Sequence, residues 1–401
     1  MMLPRRPLGR TTTAAGVSSL AAMSAVGVAF VVNILMARLL GPGARGEVAW
    51  VLQVAYVAAP CLALGFERSA LRGDAPKSWR FQVHVWVLGL VFSLGSLAIF
   101  GLHVAVAFLI ASAGAAMAIE RGTGMASSRL GRYLTLQIGI QTWTGVASIS
   151  LFVFKVDNVN AWLTVYALPA AFLLILWLVA AFKERSGPDP DQGHDWRATY
   201  QRNVGYVPGA LGAILAGRVE RLLLPFLAST AALGLYMAVA TASELLVWVA
   251  QGISESKVGR QVSVNLSRRM VARVALRDLA LFSVAGAALA VVLRVAFIPA
   301  LGESFAPAAV LVFPLCMASA AWATYRQVVA SWIACATPVK TSVLEGTGAT
   351  LTAVFAIIAI PHWGAMGAAL ACLAAYTTMI IVAVISWPSN ADVSLHPVEN
   401  R

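Results

Sequence analysis

The residues best suited to chemistry in this chain are charged side chains inside long apolar segments. The segment GRVERLLLPFL brings together Arg218, Glu220 and Arg221, and the segment TASELLVWVA contains Glu244 with no other charge within one helical turn. Because a charge at the centre of a bilayer is energetically costly, such residues usually face a cavity or an oppositely charged partner. They are therefore the first candidates for ligand binding or ion exchange.

Two functional interpretations of these charges stand beside a structural one. On a helix, Arg218 and Arg221 share a face, whereas Glu220 is turned well away from Arg218. The arginines could bind an anionic group, since a guanidinium offers planar, paired donors to phosphate. Glu244 and Glu220 could couple binding to a proton or sodium ion. Equally, all four residues could form ion pairs that only hold helices together.

Three more arginines extend the set of candidate anion-binding residues. Arg121 and Arg326 occupy matching positions in the segments AIERGTGMASSRLGRY and ATYRQVVASWIACATPVK. Facing each other between two lobes, they would form a clamp for pyrophosphate. Glu120 could instead neutralise Arg121, and both arginines could simply anchor helix ends at the cytoplasmic surface. Arg38 ends the first apolar segment, where a cation also caps a helix C-terminus.

The composition defines the class of protein in which these charges lie. Of the 401 residues, 60% are apolar and only 11% are charged, and the mean hydropathy is +0.80. A soluble domain is about 25% charged. The apolar residues suffice for about twelve helices of roughly 20 residues each. We therefore predict an all-α integral membrane protein, in which the net charge of +12 reflects basic cytoplasmic loops and not nucleic-acid binding.

The apolar segments predict about 12 transmembrane helices in two pseudo-symmetric halves. We predict an N-terminal six-helix lobe over 1–182, a cytoplasmic inter-lobe loop over 183–203 and a C-terminal six-helix lobe over 204–401. The predicted helices span 13–37, 48–66, 81–99, 103–126, 134–154, 161–182, 204–226, 231–252, 279–300, 307–334, 342–361 and 363–387. Most of the 29 Lys and Arg residues fall on one side when both termini are cytoplasmic, which predicts that orientation.

The two halves also show internal similarity. The segment LLGPGARGEVAW after the first helix is similar to FLASTAALGLYMAV after the seventh, which places Gly46 over Gly234. Because each half contains an even number of helices, a repeat would be parallel, with its axis along the membrane normal. Binding sites in such folds lie near the bilayer midplane where the halves meet.

Several other kinds of chemistry lack the residues they need. The four cysteines lie in apolar segments without metal-site spacing, and the five histidines are scattered. The cytoplasmic loops contain no glycine-rich phosphate motif. We therefore predict no catalytic residues, no metal site and no cofactor. The predicted outer loops are short, which disfavours a membrane enzyme of glycan assembly.

Three segments resemble bacterial polysaccharide or O-antigen flippases (Wzx type) of the multidrug/oligosaccharidyl-lipid/polysaccharide exporter superfamily. They are ILMARLLGPGARGEVAW, GRVERLLLPFLASTAALGLYMA, with Glu220 where an aspartate is usual, and AIIAIPHWGAMGAALACLAAY. The resemblance implies a two-lobed, twelve-helix transporter of the bacterial inner membrane. Such a protein moves a polyprenyl-pyrophosphate-linked oligosaccharide from the inner to the outer leaflet by alternating access, here with ion coupling.

On this interpretation, the cargo and the phospholipid bilayer are the direct partners, together with polysaccharide assembly machinery. The alternative is a multidrug cation exporter of the same superfamily, which would need acidic cavity residues. Six arginines against three glutamates in or near the membrane favour an anionic cargo. The residues predicted to bind pyrophosphate are Arg218, Arg221, Arg326, Arg121 and Arg38, and those predicted to couple ions are Glu244 and Glu220.

Overall fold

The computed structural model describes residues 8–72, 80–127, 130–184, 195–251, 267–335 and 338–387. Every regular element in these ranges is a helix, as the composition predicts. The elements are α1 (Leu8–Ala63), α2 (Phe66–Arg72), α3 (Arg80–Ile99), α4 (Leu102–Ser127), α5 (Gly131–Val153), α6 (Val159–Glu184), α7 (Trp196–Val204), α8 (Val207–Ala216), α9 (Val219–Leu227), α10 (Thr230–Ser243), α11 (Leu245–Gln251), α12 (Arg268–Leu301), a 3-10 helix (Glu303–Leu311), α13 (Val312–Cys335) and α14 (Pro338–Ile385).

Within the described ranges, eight helices are long and apolar enough to cross a membrane, or nine if the bent pair α10 and α11 counts as one span. Two of them are too long for a single crossing. α1 has 56 residues and α14 has 48, which correspond to lengths of about 84 Å and about 72 Å against a hydrocarbon core of roughly 30 Å. Gly41 (φ 69°) and Gly364 (φ 55°) interrupt them with conformations that glycine adopts without steric cost. Each helix therefore supplies two spans.

The described helices account for the twelve predicted crossings. α1 supplies two and α3 to α6 supply four, which makes six in the first half. In the second half, the bent pair α10–α11 supplies one span, as do α12 and α13, and α14 supplies two. Counting the consecutive short helices α8 and α9 as one further crossing gives six. The all-α membrane fold predicted from the composition is confirmed.

Two stretches of helix lie outside the predicted spans, and a capping side chain begins each of them. The predicted loop 183–203 contains α7, because the Asp195 carboxylate accepts a hydrogen bond from the amide of Ala198 and starts a helix there. The helix predicted over 279–300 begins earlier, at Arg268, because the Ser267 hydroxyl caps it in the same way. Part of the basic segment 257–277 is therefore helical, and its residues up to 266 lie outside the described ranges.

The helices group into two compact units. The first consists of the described parts of Met1–Leu40 and Glu47–Leu211, and the second of Gly41–Gly46 and the described part of Gly212–Arg401. The chain passes from one unit to the other inside α8, after the loop 183–203 where we expected the lobes to divide. In the first unit, both halves of α1 contribute to one core with α2, α3, α4 and α6. In the second unit, a core lies between α12, α13 and α14.

Two turns that the sequence comparison aligns are packed against each other in the second unit. A Cβ atom added at Gly46 would overlap the carbonyl oxygen of Thr230, and one added at Gly234 would overlap the carbonyl oxygen of Pro42. Pro42 lies four residues before Gly46, as Thr230 does before Gly234, so the contact is reciprocal.

A buried arginine stabilises the contact between the two turns. Arg45 is only 1% exposed, and its guanidinium donates a hydrogen bond to the carbonyl oxygen of Gly234. The same guanidinium lies over the ring of Phe305, with 5.7 Å between the Arg45 Cζ atom and the ring centroid. The turn of residues 41–46 is thereby held by groups of α10 and the 3-10 helix.

Left-handed backbone turns recur at matching places in the two halves. Gly101 (φ 88°) precedes α4, and Gly302 (φ 95°) precedes the 3-10 helix that leads into α13. Lys155 (φ 53°) lies between α5 and α6, and Gly364 (φ 55°) lies between the two spans of α14. These pairs support the parallel repeat inferred from the sequence.

The contact of the two turns predicts a large effect for a small substitution. Gly46→Ala places a methyl group on the carbonyl of Thr230 and should lower the melting temperature of the purified protein by about 1–4 °C, because overpacking costs about 1–3 kcal/mol. Gly43→Ala is the matched control, since it lies in the same turn with no atom within 4 Å of the added Cβ. Equal melting temperatures for the two variants would contradict this packing.

Candidate functional site

The second unit contains a cavity of about 220 Å³ that combines charged and aromatic side chains. Residues of α8 to α11, α13 and α14, and of the turn between α8 and α9, surround it. Its polar and aromatic lining consists of Arg218, Arg221, Tyr236, Ser243, Glu244, Trp248, Gln251, Ser319, Trp322, Arg326 and Tyr376. Four of the residues predicted from the sequence therefore lie around one cavity.

Arg221 is the most strongly held charge of this site. Its side chain is almost fully buried, and its Nε atom donates to the Glu220 carboxylate over 3.0 Å. Its Nη2 atom donates to the carboxylate of Glu244, and its guanidinium lies over the ring of Tyr236. One cation is thus held between two carboxylates, an arrangement that compensates for the loss of hydration of a buried charge.

A break in the helix brings these residues together. α8 ends at Ala216 and α9 begins at Val219, so Arg218 lies in the turn between them, with φ −146°. Glu220 follows in the first turn of α9, where the helix dipole stabilises a negative charge. The Glu220 side chain has no solvent exposure and accepts a further hydrogen bond from the Tyr236 hydroxyl over 3.1 Å.

Glu244 occupies a second helix break. It lies between α10 and α11, whose axes differ by 42°, and it is the C-cap residue of α10. Its side chain is 22% exposed and lines the cavity. Of the two carboxylates on Arg221, Glu244 is therefore the one that a ligand can reach, whereas Glu220 lies behind the guanidinium.

Arg326 also lines the cavity and has its own carboxylate. Its Nη1 atom donates to Glu345 over 3.1 Å, and the Tyr325 hydroxyl donates to the same carboxylate over 3.2 Å. Glu345 is 3% exposed. The sequence reasoning missed Glu345, which lies four residues into the predicted helix 342–361. An acidic residue in an apolar segment, the criterion that selected Glu244, would have found it.

The remaining predicted residues lie in the first unit. Arg38 is exposed near the end of the first span of α1, and Arg121 is half-buried in α4. The carboxylate of Glu120 pairs with Arg132, with 3.5 Å between Oε1 and Nε, and accepts a hydrogen bond from Gln82 over 3.4 Å. The clamp formed by Arg121 and Arg326 stays a prediction.

The first unit has a cavity of a different character. It measures about 550 Å³ and lies between the first span of α1 and α5. Its lining is mainly apolar, with the amides of Gln137 and Gln141 one helical turn apart. In the described ranges, no group of three or more His, Cys, Asp or Glu side chains is placed to hold a metal ion.

Tyr200, outside the membrane-spanning helices, fixes α7 to the first unit. Its hydroxyl is 2.8 Å from the Nδ1 atom of His84, and its ring meets that of Phe66 edge to face with centroids 5.1 Å apart. Partial burial raises the pKa of the Tyr200 hydroxyl. The hydroxyl stays protonated at neutral pH, and the tautomer of the imidazole decides whether it donates or accepts this hydrogen bond.

No protein-family model and no curated protein matches the chain, but several solved structures share its fold. An inward-facing multidrug resistance MATE family transporter of the MOP superfamily matches with a TM-score of 0.64 at 13% identity, covering 92% of this chain and 96% of that one. An outward-facing MATE transporter gives a TM-score of 0.60 at 13% identity and 94% of each chain. The Vibrio cholerae MATE transporter VcmN in the bent form gives 0.56 at 12% identity, with 94% of this chain and 97% of that one covered.

These similarities show the fold of the chain. It is the fold of the matching MATE transporters, so the all-helical membrane fold expected from the sequence is confirmed. The matching structures are described as MATE transporters, and the polysaccharide flippase subtype does not follow from them.

The two carboxylates that bind Arg221 differ in burial, which predicts that replacing them lowers the stability of the protein by different amounts. Glu220→Gln should destabilise the protein strongly, because breaking a fully buried ion pair costs about 3–5 kcal/mol. Glu244→Gln should cause a clearly smaller loss, since water reaches that carboxylate. Thermal unfolding of the purified variants, monitored by size-exclusion chromatography, measures both. A larger effect of Glu244→Gln would contradict the assigned roles.

Proposed function

We propose that this protein is a membrane transporter that moves a polyprenyl-pyrophosphate-linked oligosaccharide to the outer leaflet of the bacterial inner membrane. The fold supports transport, because the similar structures include an inward-facing and an outward-facing MATE transporter. The two conformations correspond to alternating access. The anionic cargo is the finer part of the proposal and depends on the cavity.

The observation that carries this proposal is the charge of the cavity wall. Among the described residues that line it, three are arginines (Arg218, Arg221 and Arg326) and one is a carboxylate, Glu244. Glu220 and Glu345 are buried behind the arginines that they bind. A group entering the cavity therefore meets mainly guanidinium donors, which suit a diphosphate.

The size of the cavity limits what part of the cargo it can hold. Sites for drug-sized ligands measure about 300–1,000 Å³, whereas this cavity measures about 220 Å³. It suits a compact anionic head group and not a whole oligosaccharide. The polyprenyl chain would remain in the lipid. We propose that Arg121 and Arg38 of the first unit contribute to the same path and that Glu244 and Glu220 couple it to an ion.

A second candidate, a multidrug cation exporter, has its own supporting observation. Trp248, Trp322, Tyr236 and Tyr376 line the cavity beside Glu244. Aromatic faces and a carboxylate attract organic cations. Efflux of a cationic dye, measured in parallel with lipid flipping, separates the two candidates.

Lipid analysis tests the proposed cargo directly. In a strain that lacks this protein, mass spectrometry of lipid extracts should show accumulation of a polyprenyl-pyrophosphate glycan. The wild-type protein should relieve the accumulation, and Arg218→Ala should not, because it removes one of the three guanidiniums around the head group.

Arg294→Ala is the matched control for this experiment. Arg294 lies in α12, is exposed and does not line the cavity, so its replacement should relieve the accumulation as the wild type does. If the lipid pool of the deletion strain is unchanged and efflux of the cationic dye is lost, the flippase proposal is wrong and the multidrug exporter is favoured.

A further inference from the structure

We propose that Glu244 is an internal ligand of the cavity, which an incoming diphosphate displaces from Arg221. This inference rests on the proposed function, since it concerns how the same arginines receive an anionic head group. On this proposal, the Glu244 carboxylate competes with the incoming cargo for Arg221 and does more than neutralise its charge.

The first argument is that the two carboxylates on Arg221 are not equivalent. Glu220 has no exposure and is held by Arg221 and by the Tyr236 hydroxyl. Glu244 is partly exposed, lines the cavity and lies at a helix break. Glu220 therefore stays with the guanidinium when a ligand arrives, and Glu244 is the counterion that can leave.

The second argument concerns the hydrogen-bonding capacity of the guanidinium. Nε donates to Glu220 and Nη2 donates to Glu244, whereas the buried Nη1 atom has no hydrogen-bond partner among the described residues. A buried donor left without a partner costs free energy. A phosphate group in the place of Glu244 could accept from both terminal nitrogens, as bidentate arginine–phosphate pairs do.

The third argument is that a diphosphate offers the arginines of this cavity more acceptors than Glu244 does. Arg218 and Arg326 line the same cavity. A carboxylate offers these guanidiniums two acceptor oxygens, whereas a diphosphate offers acceptor oxygens on two phosphorus atoms. A diphosphate therefore displaces Glu244 more readily than the single phosphodiester of an ordinary phospholipid does. Because Glu244 weakens the binding of both ligands, the phospholipid would leave the site empty at a concentration at which the diphosphate-linked cargo still occupies it.

Displacement would also release a constraint on the helices. The Arg221–Glu244 pair joins α9 to the break between α10 and α11, where the axes differ by 42°. When the ligand takes the place of Glu244, this connection is lost while the Arg221–Glu220 pair persists. Binding of cargo thus changes which helices are joined at the cavity.

Binding of a soluble diphosphate tests the proposal. The full-length protein in lipid nanodiscs is titrated with geranyl pyrophosphate and, separately, with diethyl phosphate. Glu244→Gln should bind geranyl pyrophosphate about tenfold more tightly than the wild type, because the competing carboxylate is gone. Diethyl phosphate should also bind more tightly to the same variant, because the carboxylate competes with both ligands for Arg221.

The control is Glu303→Gln, which removes the same charge from an exposed position of the 3-10 helix outside the cavity. It should bind geranyl pyrophosphate within twofold of the wild type, which excludes a general effect of net charge. Glu244→Ala, measured alongside, should change the affinity in the same direction as Glu244→Gln.

The outcomes separate this inference from the proposed function. If the wild type binds geranyl pyrophosphate and both Glu244 variants bind it no more tightly, the displacement of Glu244 is wrong and the anionic cargo stands. If neither the wild type nor the Glu244 variants bind it, the proposed anionic cargo is wrong, and this inference fails with it.

Discussion

The burial of the Arg221 guanidinium is the constraint on which the chemistry of the second unit depends. A cation in an apolar bundle needs compensating charge close by, and Glu220 provides it from within the same short helix. The Tyr236 hydroxyl then holds Glu220 from α10. The break between α8 and α9, the short length of α9 and the position of Glu244 at a second break all place polar groups around this one cation.

The same principle organises the other side of the cavity. Arg326 is held by Glu345, and the hydroxyl of Tyr325 fixes that carboxylate in turn. Both arginines thus point their charge toward the cavity with an acidic residue behind them. Of the three carboxylates, only Glu244 lines the cavity. Glu220 and Glu345 orient the arginines from behind, whereas Glu244 is placed to compete with a ligand.

Much of the fold could be predicted from the sequence, because few kinds of backbone structure can span a bilayer. A spanning segment must satisfy its own backbone hydrogen bonds over roughly 20 apolar residues, so apolar windows predict helices well. α7 escaped this reasoning because it is short and polar and is started by the cap at Asp195. In the site, Arg218, Arg221 and Glu244 could be found because isolated charges in apolar segments are conspicuous. Tyr236 and Tyr376 could not, since a buried tyrosine looks like any other core residue until its neighbours are known.

The docking of the turn 41–46 in the second unit has a consequence for the order in which the protein assembles. The hydrogen bond from Arg45 to the Gly234 carbonyl joins residues 189 positions apart. At about 5–20 residues per second, a ribosome needs roughly 10–40 s to synthesise the chain between them. During that interval the first two spans are already synthesised, but the residues of α10 that contact the turn 41–46 are not. Until α10 is synthesised, the Arg45 guanidinium lacks the Gly234 carbonyl to which it donates in the folded protein.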